Sequence, residues 1–171
     1  MTQNEFLEII NPAKDKMYRL ARRLLTSKEA AEDATQEVIL KLWGRREKMK
    51  EYANVEAYTM TVTKNYCLDQ LKLKYNNNLR IVHQNYDSGL VSIQKQTELN
   101  DELDWVEKII RELPEQQQVV FQLRDVEQYE YDEISEITGM NQTAIRVALS
   151  RARKKIRESL TKKHEYGIRR S

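Results

Sequence analysis

Basic residues are concentrated in one part of this 171-residue chain. Between Gln142 and Lys163 there are eight lysines and arginines against one acid, a local charge of +7. The preceding stretch, from Glu98 to Asn141, has thirteen acids against three bases, a local charge of −10. The net charge of the whole chain is only +2. Because a dense cluster of cations is suited to binding a polyanion, this asymmetry indicates contact with nucleic acid.

Residues that could carry out catalysis or bind a metal are sparse. The single cysteine, Cys67, cannot form an internal disulfide and is expected to be a small apolar residue of the core. The two histidines, His83 and His164, are too far apart for metal-ligand spacing. The sequence has no Gly-rich phosphate loop, no paired acids at metal spacing and no Ser/His or Cys/His arrangement. We therefore predict a protein that is not an enzyme and needs no metal or cofactor.

The composition favours helices over sheets. Apolar residues make up 40% of the chain and charged residues 33%, with only four glycines and two prolines. Apolar residues recur at helical spacing from Phe6 to Tyr75 and again from Leu103 onwards. The stretch 76–97 lacks such a period and contains Asn76-Asn77-Asn78, as a connector does. We predict an all-α protein with two small helical domains, 1–75 and 101–162, joined by a flexible linker at 76–100 and followed by a tail at 163–171.

Shorter signals refine the amino-terminal part. Ser27 is suited to cap a helix running from about Lys28 to Trp43. The charged stretch from Arg45 to Glu56 breaks the period and predicts a loop or a short irregular helix. No stretch approaches the roughly 18 apolar residues that a membrane-spanning helix needs, and the start of the chain lacks the layout of a secretory signal. We expect a cytoplasmic protein.

The most specific motif lies near the carboxyl end. A short helix is expected from about Tyr131 to Ile137, then a tight turn, then a long helix that begins near Gln142. Gly139 is suited to the turn because glycine adopts the positive φ that ends a helix sharply. This succession is that of a DNA-binding helix-turn-helix.

The apolar residues of the second helix predict which of its faces is left for DNA. Ile145, Leu149 and Ile156 fall on the face towards the core. Base contacts are expected near the amino end, from Gln142, Thr143 and Arg146. The same face presents Ser150. Phosphate contacts are expected mainly from the basic residues that follow, namely Arg151, Arg153, Lys154, Lys155 and Arg157. The alternative is a solvated basic face on an ordinary helical hairpin.

Two groups of residues resemble one known family. In the carboxy-terminal part they are Leu113-Pro114-Glu115, Val119-Val120-Phe121, Tyr131-Asp132-Glu133-Ile134, Gly139 and the run from Ile145 to Lys155. In the amino-terminal part they are the run from Ala30 to Val38 and Leu42-Trp43. These resemble the fourth and second conserved domains of bacterial sigma factors of the sigma-70 superfamily, in particular the extracytoplasmic function (ECF) group. Two positions depart from the family pattern, namely Ala30, where Asp is usual, and Thr143-Ala144-Ile145, where many members have a triplet similar to Gly-Thr-Val.

The resemblance implies a factor that binds core RNA polymerase and directs transcription from promoters. Family members grip the polymerase clamp with an exposed face of the second-domain helix, and the corresponding residues here are Glu32, Asp33, Gln36 and Glu37. Their i,i+4 spacing puts them on one polar stripe, opposite Ala34, Val38 and Leu42. Considered alone, the stripe would be an ordinary solvated helix face.

The resemblance also implies contacts with two promoter elements. The fourth domain of the family binds the minus-thirty-five element, and the promoter-melting helix with its preceding loop reads the minus-ten element. The candidates for the minus-ten element here are Lys50, Tyr52, Asn54, Tyr58, Lys64, Asn65 and Lys72. Aromatic and basic residues suit this task because a separated strand must be held by stacking and charge. For Tyr58, a place in the core is the alternative.

The implied partners are core RNA polymerase, promoter DNA and an anti-sigma factor, often membrane-bound in this family. A stand-alone helix-turn-helix regulator is the main alternative, and an RNA-binding module is a weaker one because the aromatic-bearing strand motifs of such modules are missing. A further hypothesis is that the acidic segment from Glu98 to Glu136 docks against basic promoter-binding surfaces in the free protein.

Overall fold

The computed structural model describes residues 1–84 and 101–170. The secondary structure in these ranges is helical, which confirms the predicted all-α class. The helices are α1 (Gln3–Leu25), α2 (Lys28–Gly44), α3 (Arg46–Met49), α4 (Val55–Gln84), α5 (Asp101–Glu112), α6 (Glu115–Phe121), α7 (Tyr131–Thr138) and α8 (Gln142–Arg170). A π-helical turn, Gln122–Val126, continues α6. Within the described ranges, no helix is long and apolar enough to cross a membrane.

Local hydrogen bonds explain where the first two helices begin. At the start of α1, Thr2 Oγ1 accepts a bond from the Glu5 amide at 3.3 Å, and the Glu5 carboxylate accepts one from the Thr2 amide at 2.8 Å. This capping box satisfies two amides that would otherwise lack partners. At the start of α2, Ser27 Oγ accepts a bond from the Ala30 amide at 3.3 Å, so the predicted cap is confirmed.

The amino-terminal half is a bundle in which α1 packs against both α2 and α4. Its buried side chains include Met17, Leu20 and Leu24 from α1, Ala34, Val38 and Leu42 from α2, and Ala57 and Met60 from α4. The stretch 45–54 holds the short helix α3 and an irregular turn, in agreement with the prediction for this stretch. Met49 of α3 is buried, and its packing attaches α3 to the bundle.

Helix α4 is longer than predicted. The sequence predicts a linker from Asn76 onwards, but α4 continues through Gln84. Asn76, Asn77 and Asn78 are exposed on this extension. Asparagine is a weak helix former, but relative to alanine it costs well under about 1 kcal/mol of helix stability per residue. Because these side chains are exposed to water, the helix can continue through them. The remainder of the predicted linker, 85–100, lies outside the described residues. At the other end, α8 runs through Arg170, so the predicted tail from Lys163 onwards is also helical as far as that residue.

The helix-turn-helix forms as the sequence predicts. Gly139 follows α7 with φ of +74°, and its amide donates to the Ser135 carbonyl at 2.8 Å. Asn141 then caps α8, because its Oδ1 accepts a bond from the Ala144 amide at 2.8 Å. Ile145 and Leu149 of α8 are buried against the rest of the half. The position of α8 relative to α7 is thus fixed by the backbone geometry of the turn and by the apolar packing of α8.

We expect Gly139→Ala to lower the free energy of unfolding by about 1–2 kcal/mol, the cost of holding an L residue in the left-handed region. A Cβ at this position would meet nothing within 4 Å, so the loss should come from the backbone alone. Urea unfolding followed by circular dichroism measures it. Gly44→Ala, where the Cβ also meets nothing and the φ is not positive, is the matched control and should not destabilise the protein. Equal stability of the two variants would contradict this account.

The two halves pack against each other. Helix α1 contacts α6 and the π-helical turn, and α4 contacts α7. Val119, Leu123 and Ile137 belong to the same buried cluster as Met17 and Leu20 of α1. A smaller cluster, around Ile110, Leu113 and Ala152, joins α5 to α8. The sequence predicts two helical domains but carries no signal for this contact between them.

The single cysteine is an apolar residue of the core, as predicted. Cys67 lies on α4 with none of its surface exposed, and its thiol is free. Burial disfavours the thiolate and raises the pKa of Cys67 to about 12.

Candidate nucleic-acid interface

The basic face of α8 is exposed because the opposite face is used for packing. Ile145, Ala148, Leu149 and Ala152 are buried, at the spacing of one side of a helix. The residues predicted to contact the minus-thirty-five element all lie on exposed positions, namely Gln142, Thr143, Arg146, Ser150, Arg151, Arg153 and Lys154. The first turn of α8 contains no acid, so no side chain of that turn offsets the positive end of the helix dipole.

At the amino end of α8, an aromatic ring holds two arginines. The guanidinium carbons of Arg124 and Arg146 lie 4.7 Å and 5.0 Å from the ring centroid of Tyr131. Arg146 Nη2 also donates to Gln142 Oε1 at 3.4 Å. Stacking on an aromatic ring orients a guanidinium without using its hydrogen-bond donors. Sequence reasoning missed Arg124 and Tyr131 as site residues because both lie outside α8. The apolar period of α8 indicates which of its own residues are exposed but not which residues of other helices contact them.

Farther along α8, acids contact two of the predicted phosphate-binding residues. Arg153 donates two hydrogen bonds to the carboxylate of Asp125, one of them from Nε at 2.9 Å. Lys154 Nζ lies 4.0 Å from a carboxylate oxygen of Glu158. The Asp125 bond is the main cause of a raised pKa of Arg153. These pairs compete with any phosphate for the same cations.

The acidic stripe of α2 is exposed. Glu32, Asp33, Gln36 and Glu37 all lie at exposed positions, opposite the buried Ala34, Val38 and Leu42. Glu32 and Gln36 line a groove of about 570 Å³ between α1 and α2, together with Tyr18, Ile39 and Leu40. Leu40 is 62% exposed at the edge of this groove. Sequence reasoning missed the groove because its two walls come from different helices.

The loop before α4 presents aromatic rings. Tyr52 and Tyr58 stack with centroids 4.1 Å apart and an interplanar angle of 12°. Tyr52 is 42% exposed and Tyr58 is half-buried, so Tyr58 is neither a core residue nor fully solvated. Asn54 has a structural task, because its Oδ1 accepts a bond from the Ala57 amide at 3.0 Å at the start of α4. Lys50 is exposed and lies 3.6 Å from Glu47.

The predicted minus-ten residues of α4 fall into two groups. Asn65 and Lys72 are exposed. Lys64 is half-buried and donates from Nζ to the Ile137 carbonyl at 3.0 Å. Desolvation lowers the pKa of Lys64. Lys64 is therefore covered by the carboxyl end of α7, the first helix of the helix-turn-helix.

Within the described ranges, no three His, Cys, Asp or Glu side chains are grouped so that they could hold a metal ion. The surfaces are instead suited to binding, through an acidic stripe beside a groove, a pair of stacked rings and a basic helix face. These correspond to three separate parts of the chain, on α2, around the start of α4, and on α8.

Two family models match the chain. The model described as Sigma-70 region 2 matches residues 9–75 and therefore includes the stripe of α2 and the stacked tyrosines. The model described as Sigma-70, region 4 matches residues 103–156 and includes the helix-turn-helix. Together they cover well over half of the chain, in the order that the sequence motifs predict.

Two similar proteins match most of this chain, and both are named as RNA polymerase sigma factors. The RNA polymerase sigma factor SigV of Bacillus subtilis is 27% identical over 157 residues, which are 90% of this chain and 89% of that protein. The ECF RNA polymerase sigma factor SigE of Mycolicibacterium smegmatis is 25% identical over 161 residues, or 91% of this chain. The chain spans only 61% of the length of SigE.

A solved structure has the same fold. The sigma factor RpoE, in complex with the anti-sigma factor NepR from Bartonella quintana, superposes with a TM-score of 0.71 at 20% sequence identity. The match covers 92% of this chain and 97% of that one. Because regions 2 and 4 are both matched and both lie on the helices described above, this chain belongs to the sigma-70 family of RNA polymerase sigma factors, in its ECF group.

Proposed function

We propose that the chain is a non-catalytic initiation factor that binds core RNA polymerase and directs it to promoters with a minus-ten and a minus-thirty-five element. The observation that carries this proposal is that one chain exposes both the acidic stripe of α2 and the basic face of α8. A protein that only binds DNA needs the second surface and has no use for the first. Acting on polymerase and DNA, the chain would work in the bacterial cytoplasm.

The α2 stripe and its groove support the polymerase-binding role. Asp33 and Glu37 present two carboxylates one helical turn apart, suited to a basic helical surface on the partner. The adjacent groove adds apolar surface around Leu40 and Ile39. An apolar contact beside complementary charges is the usual composition of a specific protein interface.

The exposed face of α8 supports a role in recognising duplex DNA. Arg146 is held on the Tyr131 ring near the amino end of the helix, where a recognition helix meets base edges. A guanidinium oriented in this way is suited to bidentate contact with guanine in the major groove. Arg151, Arg153 and Lys154 follow along the exposed face, in positions suited to phosphates.

The residues around the start of α4 support a role in binding a separated DNA strand. A base that leaves the duplex loses stacking worth about 1.4 kcal/mol per step, which the protein must replace. The exposed ring of Tyr52, with Lys50 beside it in sequence, offers stacking and charge at one place. Asn65 and Lys72 continue this polar surface along α4.

The proposal is tested by mixing the purified chain with bacterial core RNA polymerase and measuring co-elution in gel filtration. Transcription from a genomic promoter library, with mapping of the starts, then identifies the DNA that is recognised. Co-elution with starts downstream of a shared two-element sequence is the expected result. Tight binding to duplex DNA without any binding to polymerase would instead favour a stand-alone helix-turn-helix regulator.

We further propose that an anti-sigma factor holds this chain inactive. RpoE, whose fold this chain shares, was solved in complex with the anti-sigma factor NepR. The exposed stripe and groove on α2 and the exposed face of α8 are surfaces that such a partner could cover. Co-purification of the chain from its host, followed by mass spectrometry before and after stress, tests for this partner.

We expect Asp125→Asn to strengthen duplex DNA binding by up to about fivefold. An exposed ion pair contributes up to about 1 kcal/mol, and a phosphate that binds Arg153 must otherwise replace this contribution. The cause is release of Arg153, which Asp125 now holds. Fluorescence anisotropy with a promoter duplex over a range of salt concentrations measures the effect. Glu112→Gln removes the same charge from an exposed position on α5 and is the control. Equal affinities for the two variants would contradict the role of Asp125.

A further inference from the structure

The first turn of α7 contacts the end of α8 that is expected to meet base edges. The guanidinium carbon of Arg146 lies 5.0 Å from the ring centroid of Tyr131. Gln142 Nε2 donates to a carboxylate oxygen of Asp132 at 3.5 Å. Gln142 and Arg146 are one helical turn apart and are joined by the bond from Arg146 Nη2 to Gln142 Oε1. Two consecutive residues of α7 therefore hold the two longest side chains among the candidates for base contact.

The ring of Tyr131 is itself held in place. Tyr131 is half-buried and packs against the main buried cluster. Its second cation, Arg124, donates from Nη1 to the Tyr129 carbonyl at 2.8 Å and lies 3.8 Å from the Glu130 carboxylate. Arg124 is thus anchored to the segment directly before α7, and core packing and an anchored cation together restrain the ring.

Arg146 differs from Arg124 because it is exposed on α8. An exposed arginine samples many rotamers, and a DNA contact that orders it must overcome this entropy. Stacking on a restrained ring lowers the cost, since part of the ordering is already present in the free protein. Stacking also uses none of the five N–H donors of a guanidinium, so it is compatible with a bidentate hydrogen bond to a base.

The ring brings two positive charges to one place. Arg124 and Arg146 both have their guanidinium carbon within 5.0 Å of the same ring centroid. In the major groove, guanine presents two acceptors, N7 and O6, whereas adenine and cytosine each present an amino donor. The field of two cations favours the acceptor edge and disfavours a donor edge, which adds to the selectivity that the donors of Arg146 provide.

We propose that Tyr131 is a positioning residue that sets the base specificity of α8 by holding Arg146 towards a guanine edge. This inference rests on the proposed recognition of a minus-thirty-five element and deepens it. Specificity is then divided between the two helices of the helix-turn-helix. The side chains of α8 meet the DNA, and α7 determines how selectively they do so.

The test uses the full chain with core polymerase and the promoter that the transcription mapping identifies. The minus-thirty-five element of this promoter is randomised, and transcripts counted per template give a base preference at each position. Arg146→Ala identifies the positions read by Arg146, where the preference for guanine should fall about tenfold or more. Tyr131→Leu should lower the preference at those same positions by about two- to fivefold, the range of an exposed cation–π contact. Tyr131→Phe keeps the ring and should keep the preference.

A double variant tests whether Tyr131 acts through Arg146. Tyr131→Leu with Arg146→Ala should have the same base preferences as Arg146→Ala alone. A further loss in the double variant would overturn the proposal, as would unchanged preferences in Tyr131→Leu or an equal loss at every position. Tyr131→Phe that loses as much preference as Tyr131→Leu would also overturn it. A ring with a merely structural role would lower total transcription and leave the preferences unchanged.

A measurement on the wild-type chain does not depend on the folding of any variant at position 131. Nitrogen-15 relaxation of arginine Nε–H groups gives the order parameter of each side chain. Arg146 should be more ordered than Arg151, which is exposed on the same helix, and the two signals are assigned by their loss in Arg146→Lys and Arg151→Lys. Equal mobility of the two arginines would show that the ring does not hold Arg146 and would overturn the proposal.

Failure of the proposed function has a different signature. In that case the wild-type chain with polymerase would give no promoter-specific transcripts from any template. The relaxation measurement would still accept or reject Tyr131 as the support of Arg146. Selection of bound sequences from a pool of random duplexes by the chain itself would then replace transcription as the measure of base preference, with the same variants and the same expected order.

Discussion

We expect Asp33→Arg with Glu37→Arg to weaken binding of core RNA polymerase at least about 100-fold, because like charges brought together at an interface cost several kcal/mol. Both residues are exposed on α2 and lie on one side of the helix. Their replacement changes the charge of the stripe by four without removing a buried side chain. Gel filtration with core polymerase and fluorescence anisotropy of the labelled chain measure the loss.

The matched control changes the same number of charges elsewhere. Glu112 and Glu136 are exposed acids in the carboxy-terminal half, and Glu112→Arg with Glu136→Arg should leave the initial polymerase contact intact. If both double variants lose binding equally, the loss reflects net charge and not the α2 stripe. If Asp33→Arg with Glu37→Arg binds as the wild type does, polymerase is contacted elsewhere and the role of the stripe is rejected.

Leu149→Ala should lower the free energy of unfolding by about 2–5 kcal/mol, from the loss of buried methyl groups and the cavity that remains. Leu149 is 1% exposed on α8 and belongs to the main buried cluster. Such a loss is a large share of the about 5–15 kcal/mol that stabilises a typical domain. Urea unfolding followed by circular dichroism and by tryptophan fluorescence measures it.

A neighbouring side chain gives the control. Val147, two residues earlier on the same helix, is 42% exposed, and Val147→Ala should change stability by no more than about 0.5 kcal/mol. Should Leu149→Ala be as stable as Val147→Ala, the assignment of the buried and DNA-facing sides of α8 would be incorrect. The positions of the basic residues relative to the buried side of α8 would then need to be reassigned.

Features that depend on neighbours in sequence could be predicted. The cap at Ser27, the turn at Gly139 and the buried face of α8 follow from local hydrogen bonds, backbone freedom and apolar period. The same signals place the residues of the α2 stripe together on one polar face, and these residues are exposed. Helix α4 is the local exception, because three consecutive asparagines indicate a break although the exposed helix accommodates them.

Features that depend on distant residues could not be predicted. Arg19 and Glu127 are 108 positions apart, and nothing around either one indicates the other. The same holds for Lys64, whose type and place on α4 suit DNA contact but whose partner is a carbonyl of α7. The ring of Tyr131 likewise orients Arg146 from a different helix. Packing between the halves or between helices decides each of these cases, and helical periodicity carries no information about it.

The burial of Cys67 has a practical consequence for fluorescence work. Because Cys67 is buried and its pKa is raised to about 12, little of the reactive thiolate is present at neutral pH. A cysteine introduced at an exposed position of α4, such as that of Lys74, would react with a maleimide dye while the native thiol stays unlabelled. Single-site dye attachment is therefore possible on the wild-type background, with no cysteine removed from the core.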